Sequence, residues 1–113
     1  MTKDDEKKIE YTKKKIAKAK ADFENMKAGC AKIDKEKFDF LMPDIENTFI
    51  ELDIIMDGFV YQVERTYALE EYDWYYATEH ECSYYVSEDI KDGRRSVNRS
   101  LRKIKNFFDE CKL

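Results

Sequence analysis

The chain has 113 residues, of which 41% are charged and 42% hydrophobic, with only three glycines and one proline. That length is enough for one domain with a hydrophobic core. The scarcity of turn-forming residues predicts an all-α protein. The aromatic content of 14% argues against a disordered chain, and no apolar run is long enough to predict a membrane span.

The first predicted helix covers residues 3–41. Its apolar residues recur in two columns with a spacing of seven, which is typical of a long amphipathic helix. The columns are Ile9, Ile16, Phe23 and Cys30, and Ala19, Met26, Ile33 and Phe40. Gly29 lies inside this pattern, so the helix either continues through it or breaks there.

The second predicted helix covers residues 43–90 and begins at Pro43, which tolerates the first helical position because it has no amide hydrogen to leave unpaired. Its apolar seam has heptad spacing. The seam is Ile45, Phe49, Leu52, Met56, Phe59 and Val63. Ten of the fifteen residues in 49–63 are apolar, more than the three in seven that one buried face needs. This segment is therefore expected to be covered from more than one side.

The third predicted helix covers residues 94–112 and follows a turn at Asp92-Gly93, although Ser87 is a competing start. Its seam is Val97, Leu101, Ile104, Phe108 and Cys111. The predicted architecture is a long antiparallel helical hairpin with a shorter C-terminal helix. Together they make a three-helix bundle in a single domain, which dimerisation would complete.

A short third helix would leave the hairpin end at residues 28–57 uncovered. Apolar residues outside the seam at that end predict a docking surface, with a second copy of the chain as the simplest partner. The predicted interface is Phe38, Leu41, Ile50, Ile54 and Ile55. The alternative is a break at Gly29 that folds the chain over its own end.

Charge is segregated along the chain: residues 44–89 carry thirteen acidic residues and one basic residue, between two basic flanks. An aromatic block lies within this acidic segment and predicts a second binding surface. That surface is Glu70, Glu71, Tyr72, Asp73, Trp74, Tyr75, Glu79, Glu81 and Tyr84. Alternatively, most of the aromatic rings pack against lysine stems and against Arg94, Arg95, Arg99 and Arg102.

No catalytic, cofactor or metal motif is predicted. His80 is flanked by Glu79, Glu81 and Cys82, but adjacent helical residues point about 100° apart and do not converge on one ion. The segment from Thr78 to Ser87, with its Tyr84-Tyr85 pair, is similar to the Tyr-Tyr patch of colicin DNase immunity proteins. The likeness covers ten residues with a different spacing, so no residue role is carried over.

These patterns predict a non-catalytic protein–protein interaction protein: a small inhibitor, immunity or adaptor protein, acting as a homodimer without direct nucleic-acid or membrane binding. The alternative is an acidic, nucleic-acid-mimicking inhibitor of a nuclease or another nucleic-acid-binding protein, as in phage anti-defence or anti-CRISPR proteins. Three cysteines and an N-terminus without an apolar signal core predict a cytoplasmic location.

Overall fold

The computed structural model describes the backbone of residues 2–72 and 79–113, and the side chains of residues 2–69 and 85–113. In these ranges the chain forms three helices and no strand. The helices are α1 (Lys3–Lys27), α2 (Lys35–Tyr72) and α3 (Glu79–Cys111). The prediction of an all-α, three-helix fold is confirmed, but the helix boundaries differ from those expected.

The first helix ends at Lys27, so its predicted extension to residue 41 is wrong. Gly29 has a φ of +77°, a left-handed conformation that glycine adopts without a steric penalty. The amide of Gly29 donates to the carbonyl of Met26, and the amide of Cys30 donates to that of Asn25. This pair of hydrogen bonds is the Schellman motif, which satisfies carbonyl groups at the end of a helix. The break at Gly29, the alternative reading of the sequence, is the one the structure adopts.

The second helix begins at Lys35 rather than at Pro43. The Asp34 carboxylate accepts a hydrogen bond of 3.2 Å from the amide of Lys37, as an N-cap side chain does. Pro43 lies inside α2 and faces solvent. It offers no amide to the carbonyl of Asp39, and its outward position gives water access to that carbonyl.

The third helix runs unbroken from Glu79 to Cys111, so the predicted turn at Asp92-Gly93 and the start at residue 94 are both wrong. Gly93 is a close-packing position. A methyl group there would overlap the ring of Phe59 from α2. The glycine that suggested a turn therefore lets an aromatic ring lie against the backbone of the neighbouring helix.

The long antiparallel hairpin is formed by α2 and α3, and the shortest helix is α1. The amide of Asp34 donates to the carbonyl of Cys111 at one end, and the hydroxyl of Thr66 donates to Asp89 farther along. The third helix therefore follows α2 over most of its length. The described residues form a rod of 60 × 21 × 16 Å.

The first helix lies in the groove between α2 and α3, antiparallel to α2. Its Lys20 ammonium lies 2.8 Å from the Asp53 carboxylate, and its Phe23 ring lies 5.4 Å from that of Phe49. All six seam residues predicted for the second helix are buried, which confirms that periodicity. The most deeply buried large side chains are Ile45, Leu52, Val63, Val97, Ile104 and Cys111.

Candidate protein-interaction surface

The face of α2 that points away from α1 and α3 carries large apolar side chains. Residues 40, 54 and 61 differ by multiples of seven, so they lie along one line of the helix, and Ile50 lies one turn from Ile54. We call these four residues the outer stripe, and their exposed fractions are large: Phe40 82%, Ile50 59%, Ile54 66% and Tyr61 65%. The second helix is therefore apolar on two opposite faces, of which its own chain covers one.

The structure buries some of the predicted interface residues and exposes others. Phe38 is only 3% exposed, and Leu41 is buried with it in the core. Their predicted exposure is wrong because the break at Gly29 lets residues 28–34 turn back and α2 begin eight residues earlier than predicted. The Phe38 ring then lies 5.8 Å from that of Phe23 on α1. Ile55 is half-buried against the core.

Ile50 and Ile54 are exposed, as predicted for an interface. Phe40 and Tyr61 extend the same line, although the predicted interface does not include them. The spacing of seven predicts Phe40 in the seam of the first helix, because that pattern continues through Gly29. Tyr61 carries a signal that could have identified it, since it lies seven residues after Ile54.

The acidic groups of α2 between residues 44 and 64 fall into two sets. Those that face α1 are paired: Asp53 with Lys20 at 2.8 Å, and Glu46 with Lys27 at 3.7 Å. The others border the outer stripe and form no ion pair within the described residues. They are Asp44, Glu51, Asp57 and Glu64. The exposed apolar line therefore runs between uncompensated carboxylates.

The predicted acidic aromatic surface falls on a part of the chain whose side chains the structure does not describe. Its residues Glu70, Glu71, Tyr72, Asp73, Trp74, Tyr75, Glu79, Glu81 and Tyr84 lie outside the described side chains. His80 and Cys82 lie outside them as well. The prediction of a binding surface at that end of the molecule stays a prediction.

Reactive and metal-binding groups give no competing site in the described part of the chain. No cluster of three or more His, Cys, Asp or Glu side chains is found there. Burial raises the pKa of the Cys111 thiol, with a further increase from the carboxylate of Glu110. A thiol with a raised pKa is a poor nucleophile at neutral pH. Cys30 was expected in the apolar seam and is instead exposed, because it follows the end of α1.

Comparisons of the chain with protein-family models, with curated proteins and with solved structures find no match. In the described ranges, none of the helices combines the length and the apolar character needed to cross a bilayer. The described residues form an all-α bundle with a core on one side of α2 and an open apolar face on the other.

Proposed function

We propose that the protein is a non-catalytic protein–protein interaction protein, a small inhibitor, immunity or adaptor protein that acts as a homodimer. The observation that carries this proposal is the outer stripe. Four large apolar side chains on one helix face, each more than half exposed, leave apolar area in water that a partner would remove. The proposed occupant of this face is the same face of a second copy.

The residue pattern around Ile54 suits a two-fold antiparallel pair of α2 helices. Ile50 and Gly58 are each four residues from Ile54, so Ile50 of one copy would lie opposite Gly58 of the second copy. No atom of another residue lies within 4 Å of a methyl group placed at Gly58, so the position is an open notch. A large side chain facing a glycine lets two helix backbones approach closely.

Charge supplies a second, smaller contribution to the pairing. Arg65 and Pro43 are each eleven residues from Ile54, so Arg65 would lie next to Asp44 of the second copy, twice in the dimer. Exposed pairs of this kind contribute about 0.2–1 kcal/mol each. Glu51 and Asp57 would meet like charges, which limits the affinity and keeps the dimer dependent on its apolar contacts.

The dimer is tested by sedimentation equilibrium at about 10–100 μM, where a micromolar dissociation constant is measurable. We expect the wild-type chain to be a dimer. The variant Ile54→Lys should be a monomer, because it places two ammonium groups together on the two-fold axis. Its free energy of unfolding should change by no more than about 0.5 kcal/mol beyond the lost dimer contribution, because the side chain is exposed in the monomer.

The matched control is Tyr11→Lys, which replaces another exposed apolar residue, on α1 and away from the outer stripe. This variant should remain a dimer. A wild-type chain that is monomeric at the highest concentration would refute the proposal. So would an Ile54→Lys variant that dimerises as the wild type does.

The unpaired carboxylates beside the outer stripe favour a second candidate, an acidic inhibitor that mimics nucleic acid. Asp44, Glu51, Asp57 and Glu64 could occupy the phosphate channel of a nuclease or another nucleic-acid-binding protein. The Ile54→Lys variant separates the two candidates. Inhibition by phosphate mimicry needs the carboxylates and should persist in the monomeric variant, weakened only by one added positive charge.

A further inference from the structure

The side of the bundle away from α2 carries a cleft of about 580 Å³ between α1 and α3. Among the described residues its lining is strongly basic, with six cationic side chains and no carboxylate. The lining residues are Lys8, Ser87, Ile90, Lys91, Arg94, Arg95, Asn98, Arg99 and Arg102. We call this the basic cleft. Most of this positive charge comes from the basic C-terminal flank of a chain whose net charge is −4.

Two of these cations lie beside a carboxylate of the described residues. Lys8 lies 3.2 Å from Asp4, and Arg95 lies 4.0 Å from Asp92 at the limit of an ion pair. Within the described residues, Lys91, Arg94, Arg99 and Arg102 form no ion pair. The fold brings four arginines, Arg94, Arg95, Arg99 and Arg102, together in one cleft.

The predominance of arginine over lysine in the basic cleft indicates which chemical class of ligand it would bind. The chain has five arginines and sixteen lysines, and four of the five arginines line the basic cleft. Arginine presents a planar fork of N–H donors that matches two oxygens of a phosphate or carboxylate, whereas lysine acts as a point charge. The cleft therefore suits a ligand with several oxyanions.

The shape and polarity of the lining favour a nucleic-acid backbone over an acidic protein. From Ser87 to Arg102 the α3 wall is about 22 Å long, the length of about six phosphates along one strand of a duplex. Ile90 is the one apolar residue among the described residues of the lining. A protein partner normally buries apolar anchors at the centre of its interface, whereas nucleic-acid interfaces are polar and positively charged.

The rim of the basic cleft adds an aromatic side chain. The ammonium of Lys15 donates a hydrogen bond of 3.4 Å to the side-chain oxygen of Asn98, which lines the cleft. The same ammonium lies 5.0 Å from the centre of the Tyr11 ring, which is more than half exposed. An exposed ring beside a basic groove is a stacking platform for a base.

We infer that the basic cleft binds the phosphate backbone of a nucleic acid, independently of the outer stripe on the opposite side. This inference departs from the expectation, drawn from the sequence, that the protein does not bind nucleic acid directly. The acidic groups of α2 do not prevent such binding, because charges more than about 8–10 Å apart are largely screened at physiological salt.

The test uses the full chain and a fluorescein-labelled 20-nucleotide strand, alone and as a duplex, with binding measured by anisotropy between 50 and 200 mM salt. We expect the wild-type chain to bind at least one form, more weakly as salt rises. The double variant Arg99→Glu/Arg102→Glu should lose at least about tenfold in affinity and show a shallower salt dependence. Both side chains are exposed, so the fold should be retained.

The matched control is Lys14→Glu/Lys103→Glu, which makes the same change of net charge at exposed residues outside the basic cleft. Its affinity should fall by less than about threefold. Circular dichroism checks that each variant is folded. If Arg99→Glu/Arg102→Glu is unfolded, Arg99→Gln/Arg102→Gln takes its place. Absence of wild-type binding at 50 mM salt would overturn the inference, as would equal losses in both double variants. Tighter binding to polyglutamate or to phosphatidylserine vesicles would overturn it in favour of an acidic protein or a membrane surface.

Discussion

The two described cysteines differ in environment although their sequence pattern is alike. Both lie in apolar seams of the predicted helices, but Cys30 follows the break at Gly29 and is exposed, whereas Cys111 is fully buried. Burial and the charge of Glu110 raise the pKa of the Cys111 thiol, against a smaller opposing effect of Lys37. Both the raised pKa and the burial of Cys111 therefore slow the reaction of its thiol with an electrophile.

We therefore predict that iodoacetamide modifies Cys30 rapidly and Cys111 slowly in the folded protein at pH 8. The experiment uses the variant Cys82→Ser, so that only these two thiols are counted by peptide mass spectrometry. In denaturant both should react at similar rates. Rapid labelling of Cys111 without denaturant would contradict the buried position.

The same shift predicts a pH dependence with a defined sign. At pH values below the usual thiol range, Cys111 is protonated in both the folded and the unfolded chain and contributes no dependence. At higher pH the unfolded chain loses the proton first, so the contribution of this thiol to the free energy of unfolding falls as pH rises. Comparing guanidinium unfolding of Cys82→Ser with that of Cys82→Ser/Cys111→Ala across this range isolates the effect.

At the scale of the helix, a helix either ends at a glycine or continues through it, and the three glycines of this chain show both outcomes. The first helix ends just before Gly29, where φ is positive and a Schellman motif closes α1. The other two helices continue through Gly58 and Gly93, which lie inside α2 and α3. Gly93 adjoins the Phe59 ring, whereas Gly58 faces open space.

Alanine at the two helical glycines is expected to change stability in opposite directions. Gly58→Ala should stabilise the fold by up to about 1 kcal/mol through helix propensity. Gly93→Ala has the same propensity gain but forces the Phe59 ring aside, and overpacking costs about 1–3 kcal/mol. Urea unfolding of both variants, each in the Ile54→Lys background to exclude dimer effects, provides the comparison. A stabilised Gly93→Ala variant would show that α2 and α3 are not packed as described.

At the scale of the whole molecule, α1 is held to the hairpin at Phe23. Its ring lies 5.8 Å from that of Phe38, 5.4 Å from that of Phe49 and 6.5 Å from that of Phe108. The ammonium of Lys27 lies 4.5 Å from the centre of the Phe23 ring. This one side chain therefore joins all three helices at the end of the bundle where α2 begins.

Phe23→Ala is expected to destabilise the protein by about 3–5 kcal/mol, because it leaves a cavity among three rings. A loss of that size is a large fraction of the stability of a small domain. The control Tyr11→Ala removes an exposed ring from the same helix and should cost no more than about 0.5 kcal/mol. Thermal or urea unfolding measures both, and similar losses in the two variants would rule out Phe23 as the junction.

The sequence by itself determined the fold class, the buried seam of α2 and the apolar character of a second face of that helix. These properties follow from helical periodicity, which is local and is read from residue spacing alone. The exposed positions of Ile50 and Ile54 follow from the same spacing, because both lie opposite the seam.

Only the tertiary structure decided where the helices end and which residues gather at the surface. Gly29 and Gly93 are the same residue type, yet one ends a helix and the other receives the ring of Phe59. Pro43 is tolerated inside α2 because the helix that contains it buries Phe38 and Leu41. The basic cleft combines Lys8 with arginines more than eighty residues away. Such outcomes depend on contacts between distant parts of the chain, which local spacing does not specify.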